Sequence, residues 1–170
     1  YYRLQSFFFI PLFAMHACIV PILSFNYARR EYGRCRQMMR NITIVSLAFM
    51  TIGTACFLLI PRCLLNIFTP TDEVLRVGIP AFRIIGISFF PAVFSMTLPI
   101  FFQAVGQLAP SIWLSLTRHV FCLMTLFYLL SLIGLGWTWA AFPLAESITG
   151  GVGIILYYHH WRTLKLRAIS

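Results

Sequence analysis

Acidic residues are scarce in this chain: Glu31, Asp72, Glu73 and Glu146 are the only four in 170 positions. Lysine occurs once, at Lys165, and charged residues make up 10% of the chain, against roughly 25% in soluble domains. A soluble chain of this length could bury one core, but it would need far more polar surface, so a soluble globular domain is excluded. Cysteine motifs are missing as well. Cys18, Cys35, Cys56, Cys63 and Cys122 are odd in number and include no C-x-x-C pair. Most lie in apolar runs, where cysteine acts as a small hydrophobe, so neither a disulfide framework nor a metal site is expected. No nucleophile–base pair or metal-ligand cluster is present, and the "GGVG" of residues 150–153 follows no strand. Neither an enzyme nor a bound cofactor is expected.

What the chain does contain is apolar. It is 60% hydrophobic with a mean hydropathy of +0.86. Five stretches, at 5–25, 42–60, 79–105, 111–135 and 138–160, have the roughly 20 apolar residues needed to cross a bilayer core of about 30 Å. None alternates with a period of two, so helices are the way left to satisfy the backbone in lipid. The predicted fold is an all-α polytopic membrane protein with about five transmembrane helices and with lipid as a partner.

The most basic segment lies between two uncharged ones. "NYARREYGRCRQMMR" (26–40) holds five arginines against the single Glu31. In the loop 61–78, Arg62 and Arg76 balance Asp72 and Glu73, and the tail carries Arg162, Lys165 and Arg167. The positive-inside rule then puts 26–40, 106–110 and the tail in the cytoplasm, and 61–78 and 134–137 outside. The expected location is the cell membrane, multi-pass, with a cytoplasmic C-terminus. A net charge of +9 would suggest nucleic acid in a soluble domain. Here the charges cluster outside the apolar stretches and read as topology signals and contacts to anionic lipid, with no nucleic-acid partner.

Punctuation supports these boundaries. "TPTDE" (69–73) reads as a helix start, with Thr69 as N-cap and Pro70 in the first helical position. Trp137 and Trp139 at one end of the last span, and Tyr157, Tyr158 and Trp161 at the other, form two aromatic belts. Pro11, Pro21, Pro91, Pro99 and Pro143 fall inside predicted spans, where neighbouring helices or cavity water must rescue the freed carbonyls.

Two ionisable residues lie deep in the spans. Arg118 is about 10 Å from one end of the fourth, and Glu146 about 13 Å from the outer end of the fifth, near the midplane. A charge at that depth costs at least about 2.5 kcal/mol and should face the bundle or a cavity. Glu146 reads either as a proton or cation site or as a structural partner. Arg118 either snorkels to the interface or reaches Glu146, since their depths differ by about one arginine's reach. His16, midway along the first span, is a packing residue or a proton relay.

The order of these features resembles a known family. "FNYARREYGR" is similar to the cytoplasmic loop of the multidrug and toxic compound extrusion (MATE) transporters, with Asn26, Tyr27, Tyr32 and Arg34 matching and Ala28 and Arg29 departing from the usual Gly-Ala pair. "LLNIFTPTDEVLRVGIPAFRI", "FFQAVGQ" with Gln103, "SLTRHV" with Arg118 and "WAAFPLAESITG" with Glu146 resemble later blocks in the same order. The resemblance implies a twelve-helix transporter in two bundles of six, of which this chain, residues 1–170, supplies five helices of the C-terminal bundle. The chain starts at Tyr1 and reads as a piece of something longer, with the N-terminal half as its missing partner. Also implied are export of small cationic or amphipathic compounds, inward flow of H⁺ or Na⁺ as coupling ion, and alternating access between the bundles. Glu146 is the candidate coupling residue, and Arg118, Gln103 and His16 are possible structural or pairing partners. The rival readings are a lipid-linked oligosaccharide flippase of the same superfamily and a non-transporting membrane domain.

The charge asymmetry has a direct test. A cysteine replacing Arg30 should react with an impermeant thiol reagent from the cytoplasm only, and one replacing Thr71 from the outside only. Reaction of both from one side would end the five-span topology.

Overall fold

The computed structural model describes residues 2–66, 72–134 and 137–167, and every regular element among them is helical. In chain order these are α1 (Tyr2–Ala28), α2 (Tyr32–Leu59), α3 (Pro61–Asn66), α4 (Asp72–Ile87), α5 (Phe89–Ala104), α6 (Leu108–Leu116), a π-helical segment (Thr117–Met124), α7 (Thr125–Ile133), a 3₁₀ turn (Trp137–Ala140) and α8 (Ala141–Arg167). Four stretches are long and apolar enough to cross a membrane: Gln5–Ala28, Tyr32–Leu59, Leu108–Ile133 and Trp137–Leu164. A fifth crossing exists if Gly78–Ile87 and Phe89–Ala104, which meet at 47°, form one broken span.

That break departs from the continuous span expected over 79–105, and its cause is local. The Ser88 amide donates to the Ile85 carbonyl at 3.0 Å instead of continuing the four-residue ladder, and the Ser88 hydroxyl donates to the same carbonyl at 2.6 Å. Pro91 then falls in the first turn of α5, where a missing N–H costs nothing because that donor has no partner within the helix. Pro143 sits likewise in the first turn of α8. These two prolines thus lie within their spans but at helix starts, whereas Pro11, Pro21 and Pro99 lie in helix interiors.

The basic stretch also differs from the loop expected over 26–40. Only Arg29, Arg30 and Glu31 lie outside helices, and α2 runs from Tyr32 through Arg34, Arg36 and Arg40 into its apolar part. Arginine, glutamine and methionine are good helix formers, so nothing in 32–40 interrupts the helix. Arg30 makes the turn with φ +61°, a left-handed conformation costly for an L-residue. The expected N-cap at Thr69 and Pro70 lies outside the described residues.

Helix α5 is the axis of the bundle. Eleven of its residues, from Phe89 to Ala104, are buried on all sides, and it packs against α8, α2, α1 and α6. Around one half of α5 lies a cluster containing Phe9, Met50, Phe57, Phe82 and Phe89, in which the Phe57 and Phe82 rings stack at 4.8 Å. Around the other half lies a cluster of Leu23, Met39, Leu98, Phe101, Phe102 and Trp161. The Leu108–Ile133 stretch buries only Leu114 and Cys122 and turns Trp113, Phe121, Tyr128 and Leu132 outward. A lipid-facing helix has this distribution, because acyl chains are as apolar as the side chains that meet them.

The α5–α8 contact depends on glycine. A β-carbon on Gly150 would lie 3.3 Å from Phe94 Cβ and 3.4 Å from the Pro91 carbonyl, whereas one on Gly151 would meet nothing within 4 Å. Gly150→Leu should therefore cost about 1–3 kcal/mol through overpacking, while Gly151→Leu should leave thermal unfolding of the detergent-solubilised transporter unchanged. Equal effects from the two would refute the α5–α8 packing.

Candidate functional site

Between the two apolar clusters, α5 carries two hydroxyls, Ser95 and Thr97. They are two residues apart, about 200° around the helix, so they face different neighbours. Ser95 meets α8 and Thr97 meets α1.

On the α8 side, Glu146 is 8% exposed and both its oxygens are engaged. Oε1 accepts from Arg118 Nε at 3.0 Å and from Arg118 Nη2 at 2.6 Å. Oε2 accepts from the Ser95 hydroxyl. Arg118 reaches inward from the start of the π-helical segment, a wider coil that is frequent at functional positions. Of the two courses open to Arg118 in the sequence, the structure shows the inward one. Each buried charge would be costly alone, and each offsets part of that cost for the other.

Ser95 gives the site a second property. Its oxygen also lies 3.1 Å from the Ala92 carbonyl, and a hydroxyl has one proton and two lone pairs. With Glu146 a carboxylate, Ser95 donates to it. With Glu146 protonated, Ser95 can accept from the new O–H and turn its own proton to Ala92. The Ser95 side of the site can thus satisfy its hydrogen bonds in either protonation state.

On the α1 side, His16 is 1% exposed and its Nε2 lies 3.1 Å from Thr97 Oγ1. Thr97 spends its single proton on the Val93 carbonyl at 2.6 Å, so His16 Nε2 is the donor and the ring is in the Nε2–H tautomer. Its Nδ1 is buried with no hydrogen-bond partner. His16 and Glu146 therefore belong to separate polar contacts on different faces of α5. Gln103, two turns beyond Ser95, is exposed and joins neither. His119, beside Arg118, turns outward and contacts the Ser115 carbonyl at 3.0 Å.

The loop residues have a structural task. Asn26 is buried, and its amide donates to the Ile22 carbonyl at 2.8 Å and approaches Met38 Sδ at 3.7 Å, tying α1 to α2. Tyr27 packs edge-on to Tyr32 at 5.5 Å and its hydroxyl lies 3.4 Å from His160 Nε2, while Tyr32 meets Trp161 at 5.9 Å. These aromatics clasp the α1–α2 turn to the far end of α8. Arg34 stays exposed and pairs with Glu31 at 3.0 Å. Ser95 and Thr97 were missed by sequence reading; the signal was available in "FSMTL" (94–98), two hydroxyls within a helix that carries no charge. Among the described residues no group of three or more His, Cys, Asp or Glu is placed to hold a metal ion.

An all-helical bundle with four or five apolar spans and a charge pair buried between helices defines a multi-pass membrane protein. Comparison with known proteins gives the family. The MatE family model matches residues 1–129, and the chain belongs to that family, whose members are transporters rather than enzymes. No curated protein sequence matches the chain. Among solved structures, the MATE multidrug transporter DinF-BH, solved as a complex, is 28% identical with a TM-score of 0.84, covering 92% of this chain and 35% of that one. An outward-facing multidrug resistance MATE family transporter of the MOP superfamily is 16% identical with a TM-score of 0.88, covering 96% and 38%. An inward-facing one is 17% identical, also with 0.88, covering 96% and 39%. The chain spans a little over a third of the length of these structures.

If Arg118 and Glu146 neutralise each other, they are energetically coupled. In the complete transporter, Arg118→Met and Glu146→Met should each lower stability by about 3 kcal/mol by stranding the other charge. The double variant should be less damaged than either, with a coupling of about 1–3 kcal/mol. Additive losses in a thermal unfolding cycle would mean that the pair is not formed.

Proposed function

We propose that this chain is the C-terminal helical bundle of a MATE-type exporter that moves small cationic or amphipathic compounds out of the cell in exchange for H⁺ or Na⁺. In this reading the arginine-rich end and the α8 terminus face the cytoplasm of a cell-membrane protein, and a second bundle supplied by the N-terminal half completes the substrate path. The observation that carries it is the Ser95–Glu146–Arg118 contact, a carboxylate at mid-depth with a replaceable internal cation.

An exchanger needs a group that binds one cation at a time and alters the packing when it switches. Glu146 held by Arg118 is such a group. In the paired state the charges cancel and join the π-helical segment to α8. When a proton or Na⁺ takes the carboxylate, Arg118 is released with its full charge in a low-dielectric interior, and that charge favours any movement giving it water or a new partner. The chain's equal TM-scores to outward-facing and inward-facing structures support a bundle that keeps its own fold while it moves against its partner, as alternating access requires.

Replacing Glu146 with Gln in the complete transporter keeps the shape but fixes the neutral state. Membrane-inserted protein should be obtained, with cation-driven efflux reduced about a hundredfold or more, the loss typical of removing a positioned proton-transfer group, and with a flattened pH profile. Efflux at the wild-type rate with an unchanged profile would make Glu146 structural.

A further inference from the structure

A groove of about 730 Å³ runs between α2 and α8 over the side of α5, at the end of the bundle carrying the basic turn. One wall is a single face of α2: Gly33, Arg36, Arg40 and Ile44 recur at helical spacing, which aligns side chains three or four residues apart. From Gly33 to Ile44 this wall is about 16 Å long, close to half of a bilayer core of about 30 Å.

The groove is graded along that length. At its mouth stand Arg36 and Arg40, and a β-carbon on the neighbouring Gly33 would meet nothing within 4 Å, which leaves room for a bulky group. Arg36 is held in place by the Trp161 ring, with its guanidinium carbon 4.8 Å from the ring centroid. Farther in, the lining turns apolar, with Phe94 and Leu98 from α5 and Ile154 from α8.

No carboxylate among the described residues pairs with either arginine. Among the described residues the ion pairs are Arg34–Glu31 and Arg118–Glu146, and neither reaches the groove. Like charges four apart on a helix repel, so two such arginines on one face are favoured by an anion from outside the chain. A peptide segment would have to be both acidic and lipid-soluble to match this gradient; an anionic lipid has the phosphate and the acyl chains in the required order.

We propose that this groove is a binding site for one anionic phospholipid, with its phosphate between Arg36 and Arg40 and an acyl chain laid over Phe94, Leu98 and Ile154. The lipid adds a tie between α2 and α8 deeper in the bundle than the Tyr32–Trp161 and Arg36–Trp161 contacts at its end. With the basic end in the cytoplasm, the lipid comes from the inner leaflet.

The test uses the full-length transporter and compares retention of dioleoylphosphatidylglycerol with dioleoylphosphatidylcholine by native mass spectrometry. Two arginines near a phosphate should favour the anionic lipid by roughly thirtyfold at a single site. Arg36→Gln with Arg40→Gln should remove that preference, whereas Arg29→Gln with Arg30→Gln takes the same charge from the adjoining turn and should keep it. Ile44→Trp fills the apolar part without touching any charge and should also lose the bound lipid, so it decides the matter if the arginine variant fails to fold. Equal loss from both arginine pairs would mean diffuse attraction, and displacement of the lipid by inorganic phosphate would mean a simple ion site; either overturns the proposal. So would a nitroxide at position 44 shielded from lipid-dissolved oxygen, since another helix of the transporter would then occupy the groove. All these readouts concern binding and do not depend on whether the protein exports cations.

Discussion

The close seat of α8 on α5 is the constraint from which the rest of the bundle follows. Gly150 and Gly153 present no side chain to α5, and a β-carbon on Gly153 would come within 2.8 Å of Leu98. At that separation the Ser95 hydroxyl of α5 reaches Glu146, one turn before Gly150 on α8. Small residues are the usual way for helices to approach in lipid, where no hydrophobic force drives them together. In this bundle the approach also places a carboxylate where a neighbouring helix can supply its cation.

The polar contacts lie at the middle of the bundle and the aromatic ones at its ends. Glu146, Arg118, Ser95, His16 and Thr97 interrupt two apolar clusters, and each pair spans two helices, so the polar layer fixes the rotation of α1, α8 and the π-helical segment about α5. The end of α8 is fixed differently, by Tyr27, Tyr32, His160 and Trp161. Rings can pack closely there with their polar atoms near the membrane surface. The same Trp161 holds Arg36, so the clasp that closes the α1–α2 turn also shapes the mouth of the groove.

Much of this architecture was legible in the chain. Apolar length and the absence of a two-residue period required helices across a membrane, and the scarcity of charge made Arg118 and Glu146 conspicuous. Helix ends were harder to read. Tyr32–Arg40 is polar enough to pass for a loop, yet its residues favour helix and it continues into an apolar one. The break at Ser88 was hidden because the residues on either side of it are apolar, and the bond from the Ser88 amide to the Ile85 carbonyl that makes it leaves no mark in composition.

By itself the sequence determined the class of solvent each segment meets, since the cost of placing charge or an unpaired backbone in hydrocarbon depends on residue type and run length. It determined the depth of each ionisable residue along its helix for the same reason, through a fixed rise per residue. It did not determine which way those residues face. Whether Arg118 turned to the interface or to Glu146, and whether His16 or Gln103 stood beside them, depended on the rotation of each helix about its axis and on the widening of the coil at Thr117–Met124. Those are set by how neighbouring surfaces pack, and only the tertiary structure decided them.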